Sequence, residues 1–268
     1  MFTGNFSDDF PQIFSIEGKT ALITGGSSGI GLAMAEGYLR AGARVYISSR
    51  KADVCAEAER ELSRYGEVHA IPADVSDDEQ RTALIEQIGA REDKLHILVN
   101  NAGATWGADF DSFPAEAFDK VLQLNVKAPF VLTQLARPLL DAASTEVDPA
   151  RVINIGSIDG IGVPRLGTFS YSSSKAALHQ LTRHMAHALA PRILVNAIAP
   201  GPFRSKMMAA TLDAVGDRLA AAAPVKRIGQ PEDIAAAAIY LASRATTFVT
   251  GAVLPLDGGL STTAGLSI

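Results

Sequence analysis

Tyr171 and Lys175 stand four positions apart in Tyr171-Ser172-Ser173-Ser174-Lys175. In a helix that spacing puts both side chains on one face. A free phenol ionises at roughly pH 10, too high for a proton shuttle near neutrality. A lysine ammonium held beside it favours the phenolate and lowers that value. Such a phenol can give a proton to a carbonyl oxygen. The same spacing occurs by chance in many helices, so the pair needs support from elsewhere in the chain.

Support comes from Thr24-Gly25-Gly26-Ser27-Ser28-Gly29-Ile30-Gly31. Glycines let a backbone turn sharply and approach a pyrophosphate, whose charge is favoured at a helix N-terminus. The plain alternative is a tight turn. A place between a first strand and a first helix favours dinucleotide binding.

These residues need elements to position them. The pattern predicts strands at 20–24, 44–48, 68–72, 95–100, 152–155, 193–198 and 252–256. It predicts helices at 30–41, 52–65, 77–87, 171–190 and 231–242, and a helical region over 114–140 interrupted near Asn125. Residues 141–150 read as an exposed loop. Alternating strands and helices imply an α/β fold, a doubly wound parallel sheet with helices on both faces. No linker divides the chain, so we expect a single Rossmann-like domain over 16–268 behind an N-terminal arm, 1–15.

Composition narrows the partners. The chain has 268 residues, 47% hydrophobic, with a net charge of −5. An acidic balance argues against a general electrostatic grip on nucleic acid. One cysteine, Cys55, excludes an internal disulfide framework and a cysteine-cluster zinc site. Cys55 has no activating cation pattern, so a catalytic thiol is not expected. The first eighteen residues carry no Lys or Arg, and no secretory signal is visible. The longest apolar run, 234–242, is far short of a membrane span. The expectation is a reduced, cytoplasmic protein with no membrane or nucleic-acid partner. His179, His184 and His187 share a helix without acidic or cysteine ligands at matching spacing, so no metal site is expected, and surface or interface positions are.

The second strand ends Ile47-Ser48-Ser49-Arg50-Lys51. An acid at this point binds the ribose 2′-hydroxyl of NAD, whereas a guanidinium matches a 2′-phosphate. Arg50 without an acid therefore favours NADP(H). A solvated basic turn is the bland alternative.

Seven motifs in order make the chain resemble the short-chain dehydrogenase/reductase family over roughly residues 16–260. They are the Thr24–Gly31 turn, Asp74-Val75, Asn100-Asn101-Ala102-Gly103, Ser157, Tyr171-x-x-x-Lys175, Pro200-Gly201 and Asp257-Gly258-Gly259. Within the family the stretches 102–107, 152–157 and 175–181 look most like β-ketoacyl (3-oxoacyl) reductases, especially the branch associated with rhamnolipids. The resemblance implies a catalytic set of Asn125, Ser157, Tyr171 and Lys175. Ser157 would hydrogen-bond the reacting oxygen, and Asn125 would hold a helix open and support a water reaching Lys175. The implied cofactor site is Gly25, Ser27, Ser28, Gly29, Ile30, Gly31, Arg50, Asp74, Val75, Asn101, Ala102, Gly103, Tyr171, Lys175, Pro200, Gly201 and Ser205. In it Asp74 would accept from the adenine amino group, Val75 would pack on the ring, and Lys175 would bind ribose hydroxyls. Many relatives carry threonine where Ser205 stands. A substrate lid is implied around 203–227, which holds Phe203, Met207 and Met208; with Ile158, Ile161 and Val163 these suggest an apolar pocket, core packing being the plain alternative, and Trp106 is expected near the site rim. Relatives also pair the helices around 118–140 and 171–190 across two-fold axes, which implies a homotetramer, with the residues after Gly259 reaching over a second interface.

The leading expectation is NADPH-dependent reduction of a ketone, a small-molecule carbonyl such as a 3-oxoacyl thioester, to a secondary alcohol. One rival is an NAD(P)-dependent alcohol dehydrogenase on a polyol, sugar or steroid. Another is a scaffold that senses nucleotide without turnover.

Overall fold

The computed structural model describes residues 10–164, 166–204 and 208–263, apart from the side chains of residues 210 and 211. Seven strands form one sheet: β1 (Thr20–Thr24), β2 (Arg44–Ser48), β3 (Val68–Ala70), β4 (Ile97–Asn100), β5 (Ala150–Ile155), β6 (Ile193–Pro200) and β7 (Val253–Leu256). Their order is β3-β2-β1-β4-β5-β6-β7. Every pairing is parallel, with Leu22 opposite Tyr46 on one side and Leu98 on the other.

The helices are α1 (Gly29–Arg40), α2 (Ala52–Leu62), α3 (Asp78–Gly89), α4 (Ala115–Leu122), α5 (Ala128–Ala143), α6 (Phe169–Leu189), α7 (Ala209–Ala222) and α8 (Pro231–Ala242). A strand exposes successive side chains to opposite faces, so neighbours in sequence enter different cores. Ile23, Val45 and Val99 pack with Met34 and Tyr38 of α1 and Ile234 and Leu241 of α8. Leu22, Leu98 and Val152 pack with Leu132 and Leu140 of α5 and Met185 of α6. Covered on both faces, the central strands read as continuous apolar runs.

Several boundaries differ from expectation. The arm closes in a single 3₁₀ turn, Phe10–Phe14, and Ile16 is already fully buried. The 141–150 segment is only partly a loop: α5 runs to Ala143 and β5 begins at Ala150. Asp148 anchors what remains, 2.8 Å from the buried Lys19 ammonium. The lid region holds a helix, α7, which no periodic pattern announced because nearly half of it is alanine.

β1 and β4 are neighbours at the centre of the sheet; the connection leaving β1 runs outward to β2, and the one leaving β4 runs the opposite way to β5. That reversal opens a crevice at the carboxyl ends of the strands, where such sheets bind ligands. The Gly25 turn, Asn101 and Ser157 all follow strand ends on this edge.

Candidate active site

The Gly-rich turn is shaped by contacts that admit no side chain. Gly25 and Gly29 have φ of +65° and +57°, a region other residues rarely adopt. A Cβ on Gly31 would lie 2.3 Å from the Gly25 carbonyl oxygen and 2.5 Å from Asn101 Nδ2. The turn therefore folds its own backbone against the start of α1, leaving the helix N-terminus open to an anion. Ser28 occupies the N-cap without a side-chain cap.

Asn101 has a structural task at the turn. Its Nδ2 donates to the carbonyls of Thr24, at 2.8 Å, and Gly25, at 3.2 Å. Thr24 Oγ1 in turn accepts from the Asn101 and Ala102 amides, both at 3.0 Å. Asn101 thus ties the end of β4 to the phosphate turn, with Ala102 and Gly103 adjoining it. Thr24, which the motif reading passed over, is the partner that makes this tie.

At the end of β2, Ser27 Oγ donates to Ser49 Oγ at 2.7 Å. Arg50 beside them is exposed and has no acidic partner among the described residues. Two hydroxyls and a free guanidinium form a site for a phosphate. Ser49 belongs to it, although sequence reading noted only the acid missing there. Cys55 is buried beneath, its thiol pushed up by burial and donating to the Ser49 carbonyl at 3.4 Å. Asp74 Oδ1 accepts from Ser76 N and Oγ, at 2.9 and 2.6 Å, which fixes the carboxylate at the end of β3. Val75 is buried in the second core cluster.

Tyr171 and Lys175 lie in the first turns of α6, as their spacing predicts. Lys175 is buried, and Nζ donates to the Ile155 carbonyl at 2.7 Å. Burial lowers its pKa to about 8. Burial also pushes the Tyr171 phenol up to about 12; Ser157 draws it back, and the Asp159 charge adds to the rise. Lys175 Nζ stands 5.5 Å from the centroid of the Tyr171 ring. Ser157 caps the 3₁₀ turn Ile158–Gly160 by accepting from the Asp159 amide at 3.1 Å. Asp159 is itself partly buried, which raises its pKa.

Asn125 sits in a π-helical turn, Gln123–Lys127, that joins α4 to α5. This is the predicted interruption. Its Nδ2 donates to the Ala104 carbonyl and to Ser174 Oγ, and its Oδ1 accepts from the Ala104 amide, all at 2.9 Å. Asn125 therefore holds the loop after β4 against α6.

Pro200 ends β6, and Gly201 follows it. A Cβ on Gly201 would meet Asp257 Cβ at 2.7 Å. Asp257 accepts from the amides of Gly259 and Ser261, at 2.9 and 2.6 Å, so the Asp-Gly-Gly motif fastens the end of β7. Ser205 and Met207 lie outside the described residues. Phe203 is buried beneath Gly229. Trp106, Ile161 and Val163 are exposed around the mouth.

A family model described as enoyl-(acyl carrier protein) reductase matches residues 25–261. The chain belongs to the short-chain dehydrogenase/reductase family. Among members of this family, the rhamnolipids biosynthesis 3-oxoacyl-[acyl-carrier-protein] reductase of Pseudomonas aeruginosa is 46% identical over 252 residues, 92% of this chain and 97% of that protein. A 3α-hydroxysteroid dehydrogenase of Mediterraneibacter gnavus is 36% identical, over 91% of this chain and 97% of its own. The Pseudomonas aeruginosa RhlG/NADP active-site complex superposes with a TM-score of 0.90 at 45% identity, covering 93% of this chain and 99% of that one.

As a short-chain dehydrogenase/reductase, the chain departs from expectation at one histidine. His179 is not on the surface: it is buried against the Ser157 turn, whereas His184 and His187 are exposed. Among the described residues no group of His, Cys, Asp or Glu is arranged to hold a metal ion. No described helix is long and apolar enough to cross a membrane.

Proposed function

We propose that this protein is an NADPH-dependent carbonyl reductase of 3-oxoacyl thioesters. The observation that carries the reading is the buried Lys175 on the same helical face as Tyr171, with Ser157 opposite the phenol. The backbone cradle at Gly25–Gly31, where a Cβ has no room, suits a pyrophosphate. The Ser27, Ser49 and Arg50 group suits the 2′-phosphate of NADPH. NADPH supplies the hydride, and the protein's part is placement and proton supply. Ser157 donates to the substrate carbonyl oxygen and holds it against Tyr171. Tyr171, held protonated at neutral pH by burial, gives that oxygen its proton. Lys175 keeps its charge below about pH 8 and faces ribose hydroxyls and phenol from within the fold. Asn125 fixes the loop that closes this end of the site, and Asp74, Val75, Ala102, Gly103, Pro200 and Gly201 border the cofactor.

The similarity to a 3-oxoacyl-[acyl-carrier-protein] reductase supports the thioester substrate class. The exposed apolar rim of Trp106, Phe110, Ile161 and Val163 supports an apolar acyl group. The open groove lined by Leu122, Val126, Phe130 and Leu181 across α4–α6 supports pairing with a second copy, one of the two interfaces a homotetramer needs. The test is NADPH consumption with a panel of 3-oxoacyl thioesters, enoyl thioesters, oxo-steroids and keto sugars. Fastest turnover of a 3-oxoacyl thioester is expected. Preference for an enoyl thioester, or turnover of none, refutes the reading.

A further inference from the structure

His179 does nothing in the reaction just described, yet it is the best-placed unused polar group near it. It lies one turn beyond Lys175 on α6, so Tyr171, Lys175 and His179 form one stripe. It is 3% exposed. Its imidazole packs against the Gly160 backbone, while Nε2 has no hydrogen-bond partner. Burial holds the ring neutral, with its pKa lowered to about 4. An orphaned buried nitrogen is destabilising, and a leucine would avoid it.

The turn carrying Ser157 is fitted around this ring. A Cβ on Gly156 would lie 2.1 Å from His179 Nε2. A Cβ on Gly160 would lie 2.9 Å from His179 Cε1 and 2.6 Å from the Lys175 carbonyl carbon. Both glycines that flank Ser157 are therefore shaped by contact with α6. One end of the turn is fixed to the sheet, where the Gly156 amide donates to the Ile198 carbonyl at 2.7 Å. The other end closes through the Gly160 amide on the Ser157 carbonyl at 3.0 Å. His179 reaches both ends.

We propose that His179 is a positioning residue that sets the Ser157 hydroxyl against Tyr171 by seating the turn at Gly156 and Gly160. It makes no contact with reactants and acts through Ser157. The kinetic part of this inference rests on the carbonyl-reduction reading.

The test is a double-mutant cycle on the full-length protein, with NADPH affinity and thermal midpoint as controls for folding. Ser157→Ala, which removes a donor to the developing oxyanion, lowers kcat about a hundredfold. His179→Leu lowers kcat about tenfold at unchanged NADPH affinity. In the Ser157→Ala background the same change costs less than about twofold, because residues acting through one another do not add. His179→Asn, whose amide nitrogen replaces Nδ1 toward Gly160, recovers most of the loss. Gly156→Ala pushes on the same ring from the turn and repeats the pattern, so it serves if His179→Leu does not fold. Losses that multiply in the double variant, or no recovery with asparagine, overturn the proposal. A second readout needs no substrate: the ¹³Cζ resonance of Tyr171 at neutral pH, assigned by its absence in Tyr171→Phe. It shifts in His179→Leu in the same sense as in Ser157→Ala. An unmoved resonance overturns the role of His179 even if every carbonyl in the panel fails.

Discussion

Replacing Arg50 by alanine weakens NADPH and leaves NADH unchanged. Arg50 is exposed at the end of β2, beside the Ser27–Ser49 hydroxyl pair at 2.7 Å. A hydrogen bond to a charged group contributes about 1.5–3 kcal/mol, and an exposed ion pair about 0–1 kcal/mol. A guanidinium gripping a phosphate at the surface falls between, at about 1–2 kcal/mol, or roughly five- to thirtyfold in affinity. The hydroxyl pair must also break its mutual bond to face a phosphate, which keeps the serine contribution below that of Arg50. Titration followed by the fluorescence of the reduced nicotinamide gives both dissociation constants. Salt supplies an internal control, since the Debye length shrinks to about 3 Å at 1 M, and the NADPH preference should shrink with it. Ser49→Asp places a carboxylate where the 2′-phosphate would lie and should reverse the preference. Equal losses for NADPH and NADH in Arg50→Ala would show that Arg50 does not read the 2′-phosphate.

Tyr171→Phe removes most turnover while NADPH affinity changes less than about threefold, because the lost hydroxyl is the proton donor; undiminished kcat would exclude the phenol. The rate of reduction falls as pH rises through about 8, where the buried Lys175 loses its proton, while Tyr171 stays protonated to about 12. The pH–rate profile from 6 to 10 checks this, and a flat profile contradicts it. The same shift has a stability sign: a lysine with lowered folded pKa opposes folding below about pH 8, and that penalty fades as pH rises toward the model-compound value of 10.5. Asp148→Ala strips the partner from buried Lys19 and from Arg151, and should lower stability by about 2–4 kcal/mol, discounted for the partial exposure of Asp148. Thermal unfolding measures it, and a loss under about 0.5 kcal/mol would mean that the Ala242 and Ser243 carbonyls satisfy the cations alone.

What was legible in the sequence were features whose physics is local. Strand β1 and the Gly25–Gly31 turn follow from an apolar run meeting residues that tolerate positive φ. The shared face of Tyr171 and Lys175 follows from helical spacing. The π turn at Asn125 showed itself as a break in a long helical pattern. Contacts between distant segments left no such trace. Nothing in the order of residues tells that Asn101 spends its side-chain amide on Thr24 and Gly25 and so holds the turn. Helical spacing sets His179 on the Tyr171 and Lys175 stripe and His184 on the far side of α6, but nothing in it tells that the turn 156–160 covers His179. The glycines at 156 and 160 were the available signal. Two glycines around a serine just past a strand mean that something large presses on the turn from outside the segment, and the nearest large polar side chain on the catalytic stripe is His179.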